Sequence, residues 1–568
     1  MKSPSGHGPE RHGTDPARAG AERAGDARIV VRHGRLVRRT ALVSVLTLMS
    51  RVLGFVREMI AAALFGDGSG IYDAFITAWR VPNLFRRFLG EGAISTSFQT
   101  ALTEVDGDHG DDAGRALFWS TARMLTAILV AVTVIVMALV VVMPDAMPFT
   151  GWRWLGADPA PVRELTIRLM PFVLFVCLAA LVSGGLQVRG IFGAPAWAPA
   201  VLNVVWLVTL ALIVLRFGRI GPAPAEDGGL RHLEMSRWLA WGALASGLAQ
   251  LVVQLPALRR AGLWRGPRVP LPRGVSGPST VLRRALPLAF GAAVYQVNVM
   301  IDGFMAEGLL ANGGPTIHYL ANRVQQFPLA LVAVAATSAV FPALQALGHV
   351  GDRAALRKLH DRTHLAIALV ALPASVGLAV LARPFSEAVF GHGAFGPEGV
   401  ARTALTLQFL CIAILPAGAT GLIARAYYAL GDFKTPVRVS ALLLLVNVSL
   451  NVVFLVWLGF DVEGLALATA VTSWLNVLLL WPGLTRRLGL PGGRQPFAAP
   501  LARIAAASLL SGAVAHVVYG VAGPRLGDGL GVFTAISLAM VSYGLAATAL
   551  RAPGAVELAA KLRRRFSP

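Results

Sequence analysis

The chain has 568 residues, of which 55% are hydrophobic and only 14% charged, and its mean hydropathy is +0.63. Soluble proteins carry about 25% charged residues, so this composition excludes a soluble globular protein and indicates a membrane protein with many spans. The formal net charge is +21. Because no basic motif is interleaved with aromatic residues, this excess predicts basic cytoplasmic loops that meet anionic membrane lipids, and no binding of nucleic acid.

Residues 1–39 are rich in Gly, Pro, Ala and Arg and contain no apolar run, which predicts a disordered basic tail. Its last arginines adjoin the first apolar run and place the tail in the cytoplasm. About fourteen runs long enough to cross a bilayer follow, at 41–65, 73–103, 115–143, 162–188, 196–217, 237–258, 282–311, 316–346, 360–382, 402–430, 436–459, 462–485, 498–522 and 528–550. The even number predicts that both termini, including the basic tail 551–568, lie on the cytoplasmic side of the inner membrane.

Two groups of residues recur at almost one spacing. The pattern RV followed by SxxF, at 80–98, returns at 323–341, and the pattern GxFxxP, at 190–195, returns at 431–436. Offsets of 243 and 241 residues predict two parallel repeats of six spans each. The predicted organisation is an all-α integral membrane protein with an N-lobe at 41–262, a basic cytoplasmic linker at 263–281, a C-lobe at 282–487 and two extra spans at 498–550.

Residues 50–91 place an unusual number of charges inside two predicted spans. A guanidinium at bilayer depth costs about 2.5–3.5 kcal/mol, so these arginines are predicted to face a wet cavity walled by protein. An arginine-lined cavity predicts an anionic guest, and the planar guanidinium suits phosphate. The predicted binding residues are Arg51, Arg57, Arg80, Asn83, Arg86, Arg87 and the repeat mate of Arg80, Arg323. Three acids, Glu58, Asp73 and Glu91, are predicted to support the arginines and not to bind the guest.

Helix geometry refines this prediction. Arg80, Asn83 and Arg87 are spaced to share one helical face, and Pro82 predicts a kink between them. Arg51 and Arg57 do not share a face of a straight helix, and Gly54 between them permits a bend.

A second polar group is predicted in the C-lobe. Asp302 lies inside the seventh span with no nearby basic residue, Asn447 and Asn451 stand four residues apart in span eleven, and Thr469 lies in span twelve. Such oxygen ligands suit Na+ or a proton, and the alternative is a hydrogen-bonded contact between helices. No cofactor is expected beyond Na+ or H+ coupling, or the membrane potential. Nucleophile elbows, phosphate loops and paired catalytic carboxylates are absent from the sequence, which predicts that the protein is not an enzyme.

The stretches SRVLGFVRE at 50–58, DAF at 73–75, RVPNLFRR at 80–87 and GDFKTPVR at 431–438 resemble those of the MurJ (MviN) lipid II flippases. These flippases belong to the multidrug/oligosaccharidyl-lipid/polysaccharide (MOP) exporter superfamily, and the resemblance covers about 41–550. It implies transport of lipid II, the undecaprenyl-diphosphate-linked peptidoglycan precursor, to the outer leaflet for cell wall biogenesis and cell shape. It also implies cell-wall synthesis proteins as partners and a groove for the lipid tail at 498–550.

The resemblance assigns substrate binding to Arg51, Arg57, Arg86 and Arg323 and also matches Asp73 and Asn83. Three positions depart from the family pattern: Glu58 replaces the usual Asp, Gln326 stands where an acid is frequent, and Arg80 replaces Lys.

Three alternatives stay open on the sequence. A flippase for another polyprenyl-diphosphate-linked oligosaccharide would look very similar. A drug or cation antiporter of the same superfamily would need an acidic cavity. An intramembrane polymerase acting on the same lipid would need catalytic carboxylates near one membrane face, and Asp302 and Glu307 stand alone.

Overall fold

The computed structural model describes residues 43–87, 93–142, 159–218, 228–267, 270–271, 277–330, 335–489 and 497–557; for residues 93, 159, 228, 286–295 and 335–339 only the backbone is described. Within these ranges the chain is helical and contains no strand. The predicted tail at 1–39, the residue Glu91 and most of the C-terminal tail lie outside the described residues.

The first half of the chain supplies the helices α1 (residues 43–65), α2 (Gly70–Phe85), α3 (Ala93–Val142), α4 (Pro159–Leu169), α5 (Phe172–Val188), α6 (Gly193–Phe217), α7 (Gly228–Val252) and α8 (Leu255–Arg260). The second half supplies α9 (Pro278–Leu309), α10 (Gly314–Leu329), α11 (Ala335–Val350), α12 (Arg353–Val380), α13 (Ala382–Phe390), α14 (Pro397–Ile412), α15 (Ile414–Ala429), α16 (Lys434–Val452) and α17 (Val462–Arg487). The last two helices are α18 (Ala498–Leu526) and α19 (Asp528–Ala549). A π-helical segment, Val453–Trp457, extends α16.

These helices fall into the fourteen predicted spans, several of which consist of two pieces. Span four combines α4 and α5, and span ten combines α14 and α15. The predicted loop at 104–114 is wrong in part, because α3 stays helical through most of it and is interrupted at Gly110, whose φ is 79°. Glycine adopts this left-handed conformation without the steric penalty that a Cβ would bring.

The internal repeat is visible in the helix bounds. Helices α2 and α10 each have 16 residues and begin 244 residues apart, and α6 and α16 begin 241 residues apart. Both offsets agree with those of the repeated sequence patterns.

Two large clusters of buried apolar side chains hold the described helices together. One is built from residues between Ala61 and Ala285, and the other joins Ala62 to residues between Ile317 and Ala555. Each cluster is built mainly from one half, but Ala62 at the end of α1 packs in the second cluster, and Val281 and Ala285 at the start of α9 pack in the first. The domain boundaries themselves stay a prediction.

Ten helical stretches among the described residues are long and apolar enough to cross a membrane. Helices α1, α2 and α10 are not among them. Helix α1 carries three charged residues, and α2 and α10 are only 16 residues long. All three of these helices line the central cavity described below.

Candidate functional site: a cationic cavity between the two halves

A cavity of about 390 Å³ lies between the halves, walled mainly by α1, α2 and α6 on one side and by α9 and α10 on the other. Every residue that the sequence predicts to bind the guest lines it: Arg51, Arg57, Arg80, Asn83, Arg86, Arg87 and Arg323. Among the described residues, its lining contains no aspartate or glutamate. Charge inside a membrane is tolerated only toward protein or water, which explains why the arginines converge here.

Helix α1 brings Arg57 to the cavity wall, where it is 5% exposed. Its guanidinium forms an ion pair with Glu58, donates a hydrogen bond to Asn203 Oδ1 at 3.3 Å and lies 4.3 Å from the centre of the Trp206 ring. These contacts fix the plane of the guanidinium. Arg51 lines the same cavity and is exposed. Helix α1 runs unbroken through Gly54, and the bend that this glycine permits stays a prediction.

Glu58 links the two halves. Its carboxylate accepts a hydrogen bond from the Tyr319 hydroxyl at 2.8 Å and lies 3.7 Å from Arg323 Nε, while it also pairs with Arg57. Tyr319 and Arg323 belong to α10, one helical turn apart. Glu58 supports two of the predicted arginines, as the sequence suggested, and it does so from one half to the other.

On α2 the predicted shared face is present. Arg86 donates to Asn83 Oδ1 from Nε and Nη2 at 3.1 and 2.9 Å, and Arg87 donates to Gln296 Oε1 on α9 at 3.1 Å. Helix α2 continues through Pro82 and ends at Phe85, so the proline lies inside the helix, and the kink at this position stays a prediction. A carboxamide oxygen orients an arginine without cancelling its charge.

Arg80 occupies a deeper position than the other arginines of α2. It is 7% exposed and donates to the carbonyl oxygens of Val299 on α9 and of Pro315 in the first turn of α10, at 3.1 and 3.4 Å. The acid that attracts it most strongly is Asp302. The prediction that Asp302 has no nearby base needs correction, because Arg80 of the other half interacts with it electrostatically, although no ion pair within 4 Å joins the two described side chains.

Among the described residues Asp73 forms no ion pair with an arginine, so its predicted supporting role needs correction. Its carboxylate accepts hydrogen bonds from the backbone N–H of Gly313 at 2.6 Å and from the backbone and hydroxyl of Thr316 at 3.0 and 2.6 Å. These groups are the start of α10, whose first N–H groups have no partner within the helix. Asp73 thus caps a helix of the opposite half, which is favourable because a helix N-terminus carries partial positive charge.

The halves meet closely at one end of the molecule, here called the closed end and formed by residues 63–73, 312–316 and 393–402. Asp67 accepts a hydrogen bond from the Gly396 N–H at 2.9 Å, and Ala394 N–H donates to Ala63 O at 2.8 Å. Gly393, at φ 67°, approaches so closely that a Cβ would strike the Ala63 carbonyl. At the opposite end, the described contacts between the halves include the hydrogen bond of Arg87 with Gln296, the exposed ion pair of Arg284 with Glu104, and the packing of Val281 and Ala285 of α9 in the apolar cluster of the first half.

The second predicted polar group is assembled largely as expected. Asn451 donates to Asp302 at 2.7 Å and to Asn447 Oδ1 at 3.2 Å, Asn298 donates to the other Asp302 oxygen at 3.1 Å, and Thr469 lies near enough to Asp302 to interact with it electrostatically. Asn451 Oδ1 is buried and has no hydrogen-bond partner among the described residues. A buried acceptor beside a carboxylate fits the oxygen donor set of a small cation, so the residues present are compatible with one.

Sequence reasoning missed the neutral part of the lining. Carboxamides from several helices face the cavity beside the arginines: Asn203, Gln250, Gln296, Asn322 and Gln326. These residues stand out in the sequence, because Asn and Gln are rare in apolar runs. However, carboxamides in membrane spans also form ordinary hydrogen bonds between helices. The structure distinguishes the two roles, because it shows which carboxamides line the cavity.

Two half-molecules of membrane helices around a polar central cavity define the architecture of a secondary transporter. The model of the family "Lipid II flippase MurJ" matches residues 61–523. The chain is 31% identical over 459 residues to "Probable lipid II flippase MurJ" of Vibrio cholerae, covering 79% of this chain and 83% of that protein. The chain belongs to the MurJ family.

Solved structures agree on the fold. "Lipid II flippase MurJ, inward closed conformation" superposes with a TM-score of 0.70 at 20% identity and covers 89% of this chain and 98% of its own. An inward-facing multidrug resistance MATE transporter of the MOP superfamily gives a TM-score of 0.59 at 12% identity, covering 79% of this chain and 98% of its own. The predicted all-α, MOP-type membrane fold is confirmed.

Proposed function

We propose that this protein is a lipid II flippase, which moves the undecaprenyl-diphosphate-linked precursor from the inner to the outer leaflet of the cytoplasmic membrane by alternating access. One observation carries the proposal: six arginines from both halves line a single central cavity whose described lining has no acidic residue. Membership of the MurJ family supports it, since the relative in Vibrio cholerae carries the name of a lipid II flippase.

The physical task is to take a charged, hydrated headgroup across hydrocarbon. A polar group stripped of water costs several kcal/mol unless other hydrogen bonds replace the water. The arginines supply charge-assisted hydrogen bonds for the two phosphates, and fixed guanidinium groups need little rearrangement to do so. The polyprenyl chain stays in lipid, and α18 and α19, whose outward faces are apolar, wall a path for it.

The contacts between the halves support a cytoplasm-facing state. We assign both termini to the cytoplasm, which places the turns of the closed end on the outer side of the membrane. The headgroup then enters from the cytoplasmic end, opposite the closed end, and reaches Arg51 and Arg323. Transport requires that the contacts of Asp67 and Asp73 with the second half break while new contacts form at the cytoplasmic end.

The energy source is proposed to be a cation gradient, the membrane potential, or both. The group around Asp302 holds a carboxylate and buried amide oxygens that suit Na+ or a proton. A bound cation would supply charge compensation at Asp302. The potential contributes about 2.3 kcal/mol per charge per 100 mV and favours inward return of an empty cationic cavity.

Partners of the protein follow from this function. Lipid II is the transported lipid, anionic membrane lipids contact the basic cytoplasmic loops, and cell-wall synthesis proteins use the product on the outer face. A drug or cation antiporter is disfavoured despite the shared fold, because arginines repel cationic guests.

The test is depletion of the native protein while variants are supplied from a plasmid. Arg51→Gln and Arg323→Gln each remove one exposed cationic group from the cavity and are expected to abolish growth and to leave lipid II in the inner leaflet. Arg503→Gln is the matched control, because Arg503 is an exposed arginine of α18 outside the cavity.

Full complementation by both cavity variants at normal protein levels would refute an anion-binding cavity. Incubation with labelled lipid II separates the rival classes, since a polymerase makes glycan and a flippase changes only the leaflet.

A further inference from the structure

One stretch of α10 presents two carboxamides and an aromatic ring beside an arginine of the cavity. Asn322, Arg323, Gln326 and Phe327 all line the cavity and fall within two turns of one helix. Residues four apart on a helix are neighbours on its surface, so Asn322 lies over Gln326 and Arg323 over Phe327.

The two carboxamides are joined in a defined way. Gln326 Nε2 donates to Asn322 Oδ1 at 3.1 Å, and both residues are half-buried. One donor and one acceptor are consumed by this bond, which leaves an acceptor on Gln326 and donors on both groups for a guest. If the amide N and O positions of both residues are exchanged, the pair still has one free acceptor and free donors on both groups. The pair therefore complements a group that offers one N–H and one C=O together, which is a secondary amide.

An apolar wall adjoins the pair. The Phe327 ring packs edge-to-face against Phe55 of α1, with centroids 5.4 Å apart, and Phe327 remains 39% exposed. An exposed ring whose orientation is fixed by a second ring provides a flat apolar surface. Sugar rings carry C–H groups on one face that suit such a surface, while their substituents point to the edges.

We propose that Asn322, Gln326 and Phe327 form a saccharide subsite that binds the acetamido group and ring of the first sugar, next to the phosphates held by Arg323. The inference rests on the proposed function and deepens it by naming which residues recognise which part of the headgroup. On α10 the arginine for phosphate lies directly beside the groups for an N-acetylated sugar, with Asn322 just before Arg323 and Gln326 and Phe327 one turn after it.

This subsite would discriminate between lipid-linked sugars. A guest with a hydroxyl in place of the acetamido group leaves one of the two carboxamide groups unpaired in the cavity. A hydrogen bond contributes modestly when formed, and leaving a buried partner unpaired is unfavourable. The expected preference for the acetamido guest is about two- to tenfold in affinity per hydrogen bond.

The experiment measures binding of three probes to the full-length protein in lipid nanodiscs: undecaprenyl diphosphate, its glucosyl derivative and its N-acetylglucosaminyl derivative. The readout is the ratio of the N-acetylglucosaminyl to the glucosyl affinity. In the wild-type protein each hydrogen bond to the acetamido group is expected to raise this affinity ratio by a factor of about two to ten. In Gln326→Met and in Asn322→Leu the ratio is expected to fall to about one. Gln408→Met, at an exposed glutamine of α14 outside the cavity, should keep the wild-type ratio.

Phe327→Leu provides an independent variant, expected to weaken both sugar-bearing probes relative to undecaprenyl diphosphate. Thermal melting of each variant shows that it is folded. A wild-type ratio of one, or an unchanged ratio in folded Gln326→Met and Asn322→Leu, overturns the subsite while undecaprenyl diphosphate still binds. If the wild-type protein binds none of the three probes, the proposed function itself fails, and the subsite falls with it.

Discussion

Replacing Asp73 with Asn is expected to weaken the closed end of the molecule. Asp73 receives three hydrogen bonds from the start of α10, and one of its oxygens serves the Gly313 N–H alone. In the Asn variant the remaining oxygen can still serve Thr316. The amide NH2 that replaces the other oxygen cannot accept, so the Gly313 N–H loses its partner.

The size of the effect follows from the burial of the contact. Asp73 is 3% exposed, and an unpaired buried donor costs about 1–3 kcal/mol. When the two halves separate at this end, water reaches the Gly313 N–H and the loss disappears. The variant therefore destabilises only the state in which this end is closed, which shifts the equilibrium toward separation by about 5- to 150-fold.

Distances between spin labels measure this shift directly. Labels at Gly68→Cys and Glu398→Cys stand on opposite halves beside the contact of Asp67 with Gly396. Double electron–electron resonance is expected to show a short distance in the parent protein and a larger population of long distances in Asp73→Asn. Cys177 and Cys411 are buried and free, and both are replaced by Ala to keep the labelling specific.

The control uses the same chemistry in another place. Asp352 accepts a hydrogen bond from the Ala355 N–H at 2.9 Å and caps α12 within one half. Asp352→Asn should leave the distance distribution unchanged. An unchanged distribution in Asp73→Asn, or an equal shift in both variants, would refute the assignment of Asp73 to the closure of this end.

Three further variants probe the packing around the arginines. Glu58→Gln removes the partner of a buried guanidinium and should lower the melting temperature markedly, since breaking a buried ion pair costs about 3–5 kcal/mol. Gly303→Ala places a methyl group on the Arg80 guanidinium and should destabilise by about 1–3 kcal/mol in thermal melting. Asp302→Asn should abolish any Na+ or pH dependence of lipid II transport in proteoliposomes, because the only carboxylate of that group is lost.

Each of these has a distinct contrary result. An unchanged melting temperature in Glu58→Gln would show that Arg57 does not need its counter-charge. Gly544→Ala is the control for Gly303→Ala, since Gly544 lies on α19 and an added Cβ there would meet open space. Equal destabilisation by both substitutions would refute the claim that close packing of Gly303 against Arg80 is important. Retention of the ion dependence in Asp302→Asn would exclude this group as the coupling site.

The sequence predicts the cavity residues because the physics of a membrane restricts them strongly. Arg57 and Arg80 cannot face lipid without a large free-energy cost, and Arg323 occupies the position in the second repeat that Arg80 occupies in the first. All three arginines are therefore expected to face the interior of the protein. The fold follows from the same reasoning, with apolar runs of about 20 residues and a doubled pattern.

The pairing of particular residues could not be predicted in this way. Asp73 binds the start of α10 about 240 residues away, and Asp302 acts electrostatically on Arg80 across the interface between the halves. Periodicity places a side chain on a face of its own helix and says nothing about which distant helix covers that face. The other carboxamides of the cavity could not be predicted for a related reason. An Asn or Gln in a membrane span can line a cavity or hold two helices together, and the local sequence is the same in both cases.

The position of Arg80 has a consequence for coupling that the other arginines do not share. It lines the cavity and is attracted to Asp302, so an anionic guest and a carboxylate compete for one guanidinium. A cation bound at Asp302 would neutralise that carboxylate, so the positive charge of Arg80 would attract the anionic guest more strongly. Binding of the cation and of the anion would then reinforce each other, and by thermodynamic linkage each would raise the affinity for the other by the same factor. The sign of this linkage is fixed by the charges alone, and it requires that cation and guest occupy the protein together rather than in turn.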